Sequence, residues 1–284
     1  MSADRSPASG PATVPLRRRS AWLITAVSLL GVAAFGWPLL VANAVSGQEA
    51  HAADAPWLVA ALVPLLLALV GAELSEGSLD AKAVAMLGVL AAAGCALRLA
   101  SGGVAGLELV FFLLLPAGRV FGRGFGLVAG AVTLFASALL TGGVGPWLPF
   151  QMLAAGWVGL GAGCLPAAWR GRREVAALAA YGAVAGLAYG LVMNLWFWPY
   201  TIAGDTTVSY DATAGLAENL RRFWAFHVVT SLGFDLPRAA LNVAMTLVLG
   251  PAVLAALRRA GARAAFGAPV SFGPAPPAPA RDGS

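Results

Sequence analysis

The sequence predicts an all-α integral membrane protein that forms a polytopic helical bundle. Of its 284 residues, 59% are apolar and 11% are charged, whereas a soluble domain carries about 25% charged residues. The mean hydropathy is +0.79. Apolar runs recur along the chain, each near the roughly 20 residues that a helix needs to cross a bilayer. These runs are continuously apolar rather than alternating, so helices are expected instead of a β-barrel.

Eight membrane-spanning helices are predicted from the apolar runs and from the residues that interrupt them. They cover residues 21–45, 56–74, 80–97, 107–121, 124–140, 148–168, 175–198 and 238–257. The first run is too long for the apolar core of a signal peptide, so we expect it to be retained, with a kink at Pro38. The first two spans are anchors rich in Leu, Val and Ala, whereas the third is rich in small residues.

Gly, Pro and basic residues separate the later spans. Residues 142–151 include three glycines, two prolines, a Trp and a Gln, and predict a rigid loop between the fifth and sixth spans. Residues 201–235 are long for a connection and are expected to contain an amphipathic helix over 214–229. This helix would be either a lid over a site or a helix resting in the interface. Its residues at helical spacing are Leu216, Leu220, Phe223 and His227.

The basic residues predict the orientation of the chain. They lie in short clusters between apolar runs, which is typical of topology signals, so the net charge of +5 does not indicate a nucleic-acid partner. Most clusters fall on the side of the N-terminus. With an even number of spans, we expect a multi-pass protein of the cell membrane with both termini in the cytoplasm. Residues 1–20 and 261–284 are expected to be disordered tails.

Little in the sequence points to catalysis or to a bound metal. The phosphate-loop pattern Gly-x-x-x-x-Gly-Lys-Ser/Thr does not occur, so any ATP hydrolysis is expected in partner subunits. Cys95 and Cys164 lie in apolar runs and have no metal-ligand spacing. His51 and His227 stand alone in the sequence, and no Ser/His/Asp arrangement is readable. We therefore predict a non-enzymatic protein without cofactor or metal.

Small residues recur at spacings of three and four on several helices, and such stripes let another helix approach closely. Each stripe could serve packing within the chain or docking of another membrane protein. Two of them are glycine ladders, at Gly118, Gly122, Gly126 and Gly130, and at Gly182, Gly186 and Gly190. The stripe that we predict to dock a partner is Ala81, Ala85, Gly88, Ala92 and Ala96.

Five segments carry a resemblance to a known family. They are the Ala-rich helix 80–94, the apolar helix 108–122, the glycine-rich helix start 124–130, the loop 142–151 and the basic stretch 170–173. In this order they resemble parts of the substrate-binding membrane subunit, the S component, of energy-coupling factor (ECF) vitamin transporters. The resemblance implies a six-helix core over residues 79–260, preceded by two extra transmembrane helices in residues 21–78.

The resemblance also implies a function. An S component captures a vitamin or cofactor precursor at the outer face and delivers it with a transmembrane coupling (T) subunit and two cytoplasmic ATPases. The long loop and the many aromatic residues favour a large ligand, with cobalamin ahead of riboflavin. The alternative is a stand-alone secondary transporter of a small organic solute. That alternative predicts intramembrane acidic residues and an internal repeat.

The candidate substrate contacts lie near the three loops that the predicted orientation places outside, 98–106, 141–147 and 199–237. The resemblance implies that the ligand binds between these loops. Aromatic rings can stack on a planar ligand, and polar side chains at membrane depth are costly and therefore informative. The alternative for the aromatic residues is an interfacial belt. The predicted substrate-binding residues are Trp147, Gln151, Asn194, Trp198, Tyr200, Trp224, Asp235, Arg238 and Asn242.

Three of these residues form an Asp-x-x-Arg-x-x-x-Asn motif on one helix face. An ion pair between Asp235 and Arg238 at the helix start, with Pro237 in the first turn, is the structural alternative to ligand contact. Glu108, near the outer end of the fourth span, is expected either to pair with Arg98 or to contact the ligand.

Overall fold

The computed structural model describes residues 13–14, 18–40, 81–102, 106–201, 206–211 and 213–264. Within these ranges the chain folds into nine helices and forms no strand. They are α1 (Arg18–Leu40), α2 (Ala81–Ser101), α3 (Val110–Phe121), α4 (Arg123–Thr141), α5 (Leu148–Cys164), α6 (Gly171–Thr201), α7 (Leu216–Thr230), α8 (Leu232–Val248) and α9 (Gly250–Ala264).

The described helices confirm an all-α polytopic membrane protein. In these ranges, four helices (α1, α2, α4 and α6) are long and apolar enough to cross a membrane, and the consecutive helices α8 and α9 together could form a fifth span. Two more, α3 and α5, are apolar but shorter. The predicted span 56–74 and most of the two predicted tails lie outside the described residues.

Most predicted spans coincide with a helix whose ends are shifted by a few residues. The sixth prediction, 148–168, runs too far, because α5 ends at Cys164. Leu165 is extended there, with φ −60° and ψ 143°. A residue that precedes a proline is disfavoured in the helical region, and Pro166 follows Leu165.

The prediction of a single helix over residues 238–257 is wrong. The chain forms α8 and α9 instead, which are bent by 65° relative to each other. Pro251 lies in the first turn of α9, where its missing N–H is not needed, whereas a continuous helix would place its ring against a carbonyl of the preceding turn. The first of the two helices begins early, at Leu232, so Pro237 lies inside it.

The core is organised around α3, in which every residue is buried. Its neighbours α4 and α5 approach it at glycines. A Cβ atom at Gly118 or Gly126 would collide with the backbone of Gly159, and one at Gly130 would collide with the backbone of Ala155. The first glycine ladder therefore serves packing within the chain.

The second glycine ladder, on α6, faces α8. A Cβ atom at Gly190 would collide with the carboxylate of Asp235, and one at Gly186 would crowd Asn242. The ladder thus makes room for polar side chains of α8 rather than for a partner protein.

The bundle has two chemically different ends. At the basic end, defined by Arg119, Glu174 and Arg258, α3 leads into α4 and α5 leads into α6. Glu174 is buried and accepts hydrogen bonds from Arg119 Nε at 2.6 Å and Arg258 Nη2 at 2.5 Å. Arg119 also donates to the carbonyls of Leu165, Pro166 and Trp169 at 2.8–3.1 Å. This cluster fixes the loop between α5 and α6 to the end of α3.

At the loop end, defined by Arg98, Glu108 and Ser137, α2, α4 and α6 finish and α3, α5 and α8 begin. Arg98 Nη1 donates to Ser137 Oγ at 2.7 Å, which joins the last turns of α2 and α4. Most of the predicted substrate-binding residues whose side chains are described lie in this half of the molecule, and Asn242 lies near the middle of α8.

Candidate functional site

A buried arginine lies at the centre of the site. Arg238, on α8, donates from Nε to Glu108 at 3.2 Å and from Nη1 to Asp235 at 2.5 Å. It also donates to the carbonyl of Gly186 at 3.3 Å, and its guanidinium lies 5.4 Å from the ring centre of Tyr189. The cation is therefore enclosed by two carboxylates, a backbone carbonyl and an aromatic face.

The predicted pairing of Glu108 with Arg98 does not form. Glu108 bonds to Arg238, which is 130 positions away in the sequence, and Arg98 bonds to Ser137 instead. The ion pair between Asp235 and Arg238, which was the structural alternative to ligand contact for this motif, is present.

His227 and Asn194 extend the cluster. The His227 Nε2 atom lies 3.7 Å from Asp235 Oδ2, and its Nδ1 atom lies 2.8 Å from Asn194 Nδ2. Asn194 also bonds to Ser231 Oγ at 2.5 Å. Although His227 stands alone in the sequence, the fold places it between a buried carboxylate of α8 and a half-buried amide of α6.

Asn242 continues the polar face of α8 toward the middle of the bundle. Its Nδ2 atom donates to the carbonyl of Gly182 at 3.0 Å. Its Oδ1 atom, Asp235 Oδ2 and Thr246 Oγ1 are buried and have no hydrogen-bond partner among the described residues. Buried acceptors without donors are costly. We refer to Glu108, Asn194, His227, Asp235, Arg238 and Asn242 as the polar network.

The polar network reaches a cavity at the loop end through Glu108. The cavity measures about 220 Å³ and is lined by Arg98, Leu99, Ser101, Gly102, Glu108 and Thr141. Glu108 is the network member that belongs to its wall, and its side chain is 24% exposed. A ligand in this cavity would therefore meet one carboxylate, one guanidinium and two hydroxyl groups.

The loop before α5 is held together by its own contacts. Trp147 is 39% exposed, and its indole N–H donates to the carbonyl of Gly143 at 3.1 Å. A Cβ atom at Gly145 would collide with this indole, so the ring covers the turn. Gln151 is half-buried in the first turn of α5. Among the described residues, no hydrogen bond or ring contact joins either side chain to the polar network, and their roles in binding stay predictions.

The remaining aromatic candidates lie around α7. Trp198 is buried and donates to the carbonyl of Val208 at 2.7 Å, with Phe223 edge-on at 5.4 Å. Trp224 is half-exposed, and its ring lies 5.8 Å from that of His227. The side chain of Tyr200 lies outside the described residues. Of the aromatic candidates described, Trp224 is the one in ring contact with a member of the network.

A family model for the substrate-specific component of ECF transporters matches residues 82–250. The chain belongs to this family. No curated protein and no solved structure matches the chain. Membership, together with the apolar helices, makes the chain a multi-pass membrane subunit that binds a substrate rather than transforming it. The family implies a small-molecule substrate, a coupling subunit and ATPases as partners.

In this S component, α7 (predicted as residues 214–229) is an amphipathic helix whose buried face differs from the predicted one. Phe223 and His227 are buried as expected, but Leu216 and Leu220 are 50% and 37% exposed. The buried positions also include Asn219, which accepts a hydrogen bond from the backbone of Asp211 and donates back to it. The helix therefore packs on the end of α6 and anchors the segment that precedes it.

Ion pairs hold the outer side of α7. Arg221 and Arg222 both donate to Glu218, and these hydrogen bonds lower the pKa of Glu218 to about 2. Hydrogen bonds from Thr213 lower the pKa of Asp211, which lies 3.6 Å from Arg222. This side of the helix is consequently ionised at neutral pH.

Sequence reasoning missed Glu108 as a network member, Tyr189 and His227. Two sequence patterns could have predicted part of the network. Gly182, Gly186 and Gly190 lie on one face of α6, and the residues of the Asp-x-x-Arg-x-x-x-Asn motif lie on one face of α8. Matching the two faces would have predicted a polar interface between these helices. No comparable signal connects Glu108 to Arg238.

Proposed function

We propose that this S component captures a vitamin or cofactor precursor at the loop end of the bundle. The observation that carries the proposal is the continuity between the polar network and the cavity. Glu108 lines the cavity and also bonds to Arg238, so a ligand that engages Glu108 would change the balance of charge around a buried guanidinium. Because the Glu108 carboxylate accepts hydrogen bonds and lines the cavity, it favours a ligand that offers N–H or O–H groups.

The helix α7 would respond to such a ligand. His227, which is on α7, lies 2.8 Å from Asn194 of α6. Trp224, also on α7, presents a half-exposed ring. We therefore favour a lid over a purely interfacial role for α7. The aromatic side chains Trp147 and Trp224 would then stack on the ligand while the network provides its polar contacts.

The size of the cavity bears on the identity of the ligand. Sites for drug-sized molecules measure about 300–1,000 Å³, and the cavity measures about 220 Å³. Cobalamin, which the sequence favours, is too large for this cavity. It would insert one edge into the cavity and contact mainly the surrounding loops. Riboflavin would fill the cavity to a larger extent. Both belong in the first set of ligands to be tested.

Binding is tested with purified protein and no nucleotide. A panel of vitamins is added, and the thermal unfolding midpoint in detergent is measured. We expect one vitamin to raise it, and we expect Glu108→Gln to weaken that effect. Glu218→Gln is the matched control, because it makes the same chemical change on the exposed side of α7. If no vitamin shifts the midpoint, or if both variants behave alike, the proposed site is wrong.

The small-residue stripe of α2 is our proposal for the coupling-subunit contact. All five of its residues are exposed, whereas Ala83, Leu87, Leu90 and Gly94 on the opposite face are buried. A Cβ atom at Gly88 would meet nothing within 4 Å. The stripe is thus a smooth helix face on which a second helix could pack closely.

Docking is tested by enlarging the stripe. Gly88→Leu and Ala85→Leu should reduce co-purification with the coupling subunit and the ATPases while leaving ligand binding by the isolated chain unchanged. Ala180→Leu, on the exposed face of α6, is the matched control. Normal assembly of the stripe variants would remove the stripe from the interface. Accumulation of ligand by the chain alone, in proteoliposomes with an ion gradient, would favour the secondary transporter instead.

We further propose that the basic end and both termini are cytoplasmic, because Arg residues concentrate at that end. Cys164 is a natural probe, since it is an exposed free cysteine at the basic end. A membrane-impermeant thiol reagent should label it in inverted vesicles and not in intact cells. Val144→Cys combined with Cys164→Ser should show the opposite pattern. If Cys164 were labelled in intact cells and the cysteine introduced at position 144 only in inverted vesicles, the proposed orientation would be reversed.

A further inference from the structure

A second cavity lies at the basic end, at the opposite end from the ligand site proposed above. It measures about 500 Å³ and is bounded by the first turns of α6 and by the α8–α9 bend. Its apolar wall consists mainly of Val175, Leu247, Pro251 and Leu254. Arg172 and Arg258 also line it. The cavity therefore combines an apolar surface with two cationic side chains.

The bend between α8 and α9 explains why the cavity exists. The two helices diverge by 65° at a break next to Pro251, so α9 does not continue along α6. The wedge left between them is not filled by side chains. Leu247, Val248 and Leu249, which precede the break, are 52%, 74% and 42% exposed. An apolar surface thus continues from the cavity onto the side of the bundle that would face lipid.

The charges around the cavity favour an anion. Glu174 is also in its wall, but that carboxylate already accepts hydrogen bonds from Arg119 and Arg258. Arg172 makes no hydrogen bond among the described residues, and Arg258 uses only its Nη2 atom. Glu174 is the carboxylate in the cavity wall, and Arg119, Arg170 and Arg258 all lie within 4 Å of it. With Arg172 added, the described residues around the cavity carry an excess of positive charge.

We propose that this cavity binds an anionic phospholipid, with its phosphate between Arg172 and Arg258 and the upper part of one acyl chain along the wall formed by α8 and α9. Basic pockets between transmembrane helices on the cytoplasmic side are typical sites for anionic head groups. A soluble anion would leave the apolar wall unused. A zwitterionic lipid would leave the excess positive charge unpaired.

The test uses the full chain purified in a neutral detergent. Phosphatidylglycerol, phosphatidylcholine or inorganic phosphate is added, and bound lipid is counted by native mass spectrometry while the unfolding midpoint is followed. Phosphatidylglycerol should bind and protect, phosphatidylcholine should do so weakly, and phosphate should have no effect. Equal binding of the two lipids would make the cavity an unselective groove. Protection by phosphate alone would make it a small-anion site. Either outcome overturns the proposal.

Two variants separate the head-group contact from the chain contact. Arg172→Gln should raise the phosphatidylglycerol concentration for half-occupancy about fivefold, the contribution of one basic residue near an anionic surface. Ala255→Phe should weaken binding by filling the wall while leaving both arginines in place. Arg173→Gln and Ala256→Phe are matched controls, since both residues are exposed neighbours outside the cavity lining. Unchanged binding by the first two variants, or equal losses in the controls, would refute the site.

Discussion

Each end of the bundle buries a cluster of arginine and carboxylate groups, but the two clusters have opposite compositions. At the basic end, one carboxylate, Glu174, accepts hydrogen bonds from two guanidinium groups, those of Arg119 and Arg258, and lies 3.8 Å from a third, that of Arg170. At the loop end, one guanidinium, Arg238, meets two carboxylates, and Asp235 Oδ2 lacks a hydrogen bond among the described residues. The first cluster also includes three loop carbonyls that accept from Arg119, whereas the second opens into a cavity through Glu108.

The composition of each cluster determines whether it can respond to a ligand. Every nitrogen of Arg119 donates within the protein, so this side chain offers no hydrogen bond to a vitamin. The loop-end cluster has acceptors left over and a carboxylate that reaches a cavity. We therefore expect substitutions at the basic end to lower stability and substitutions at the loop end to lower affinity for the ligand.

The largest effect is expected for Arg119→Met. It would leave Glu174 hydrogen-bonded to Arg258 and 3.8 Å from the exposed Arg170, and it would remove the hydrogen bonds that hold the loop between α5 and α6. Breaking a buried ion pair typically costs about 3–5 kcal/mol, so the free energy of unfolding in detergent should fall by about that amount. Ligand affinity of the folded fraction should be unchanged. Arg123→Met is the control, because Arg123 is exposed at the same end. A folded variant with lost affinity would contradict the division between the two ends.

The second effect is expected for Asp235→Asn at the loop end. Asp235 is buried and does not line the cavity, so it acts on the ligand through Arg238 and Glu108. Because Arg238 would then bind Glu108 more strongly, affinity for the vitamin identified in the panel should fall about tenfold, which corresponds to about 1.4 kcal/mol. The loss of stability should be smaller than for Arg119→Met, because Arg238 keeps Glu108 as a partner. Asp211→Asn, near the surface, should bind normally. Equal destabilisation by the two variants with unaltered affinity would make the loop-end cluster purely structural.

A feature of this fold was predictable when the residues that produce it lie close together in the sequence. Hydropathy predicted α1 to α6 within a few residues, because each span is recorded in its own composition. The Asp235–Arg238 pair was predictable for the same reason, since both residues lie on one helix. The contacts of Arg238 with Glu108, and of His227 with Asn194, join residues 130 and 33 positions apart. Such pairs depend on how helices pack, which a single sequence does not record.

The break between α8 and α9 is an intermediate case. Pro251 is visible in the sequence, but a proline in an apolar run fits both a kink and a helix end. The 65° bend and the cavity beside it depend on what α9 packs against. The stripes of small residues show the same ambiguity. The glycine ladder shared by α3 and α4 and the ladder of α6 pack within the chain, whereas the stripe of α2 is exposed.

A third, smaller effect is expected for Trp198→Phe. The variant keeps an aromatic ring against Phe223 and removes the hydrogen bond to the carbonyl of Val208. That bond is worth about 1 kcal/mol, so amide hydrogen exchange in α7 should accelerate about fivefold while exchange in α3 stays constant. Trp169→Phe, an exposed position at the basic end, should leave α7 unaffected. Uniform acceleration through the whole bundle would mean that α7 does not open independently of the core.

The smallest effect is the acid response of α7. Hydrogen bonds from Arg221 and Arg222 lower the pKa of Glu218 to about 2, from its ordinary value of 4.5. A carboxyl group with a lowered pKa stabilises the folded state above its ordinary pKa, and that contribution is lost as pH falls toward the folded value. The wild-type protein and Glu218→Gln should therefore differ by a constant amount in α7 hydrogen-exchange protection between pH 7 and 5. The difference should shrink between pH 4.5 and 2. A difference that grows on acidification would show that the ionised form of Glu218 does not hold the helix.

Because the lowered pKa belongs to an exposed ion pair, 0.5 M salt should also reduce the difference in α7 protection between the two proteins. The buried clusters at both ends of the bundle should be insensitive to salt.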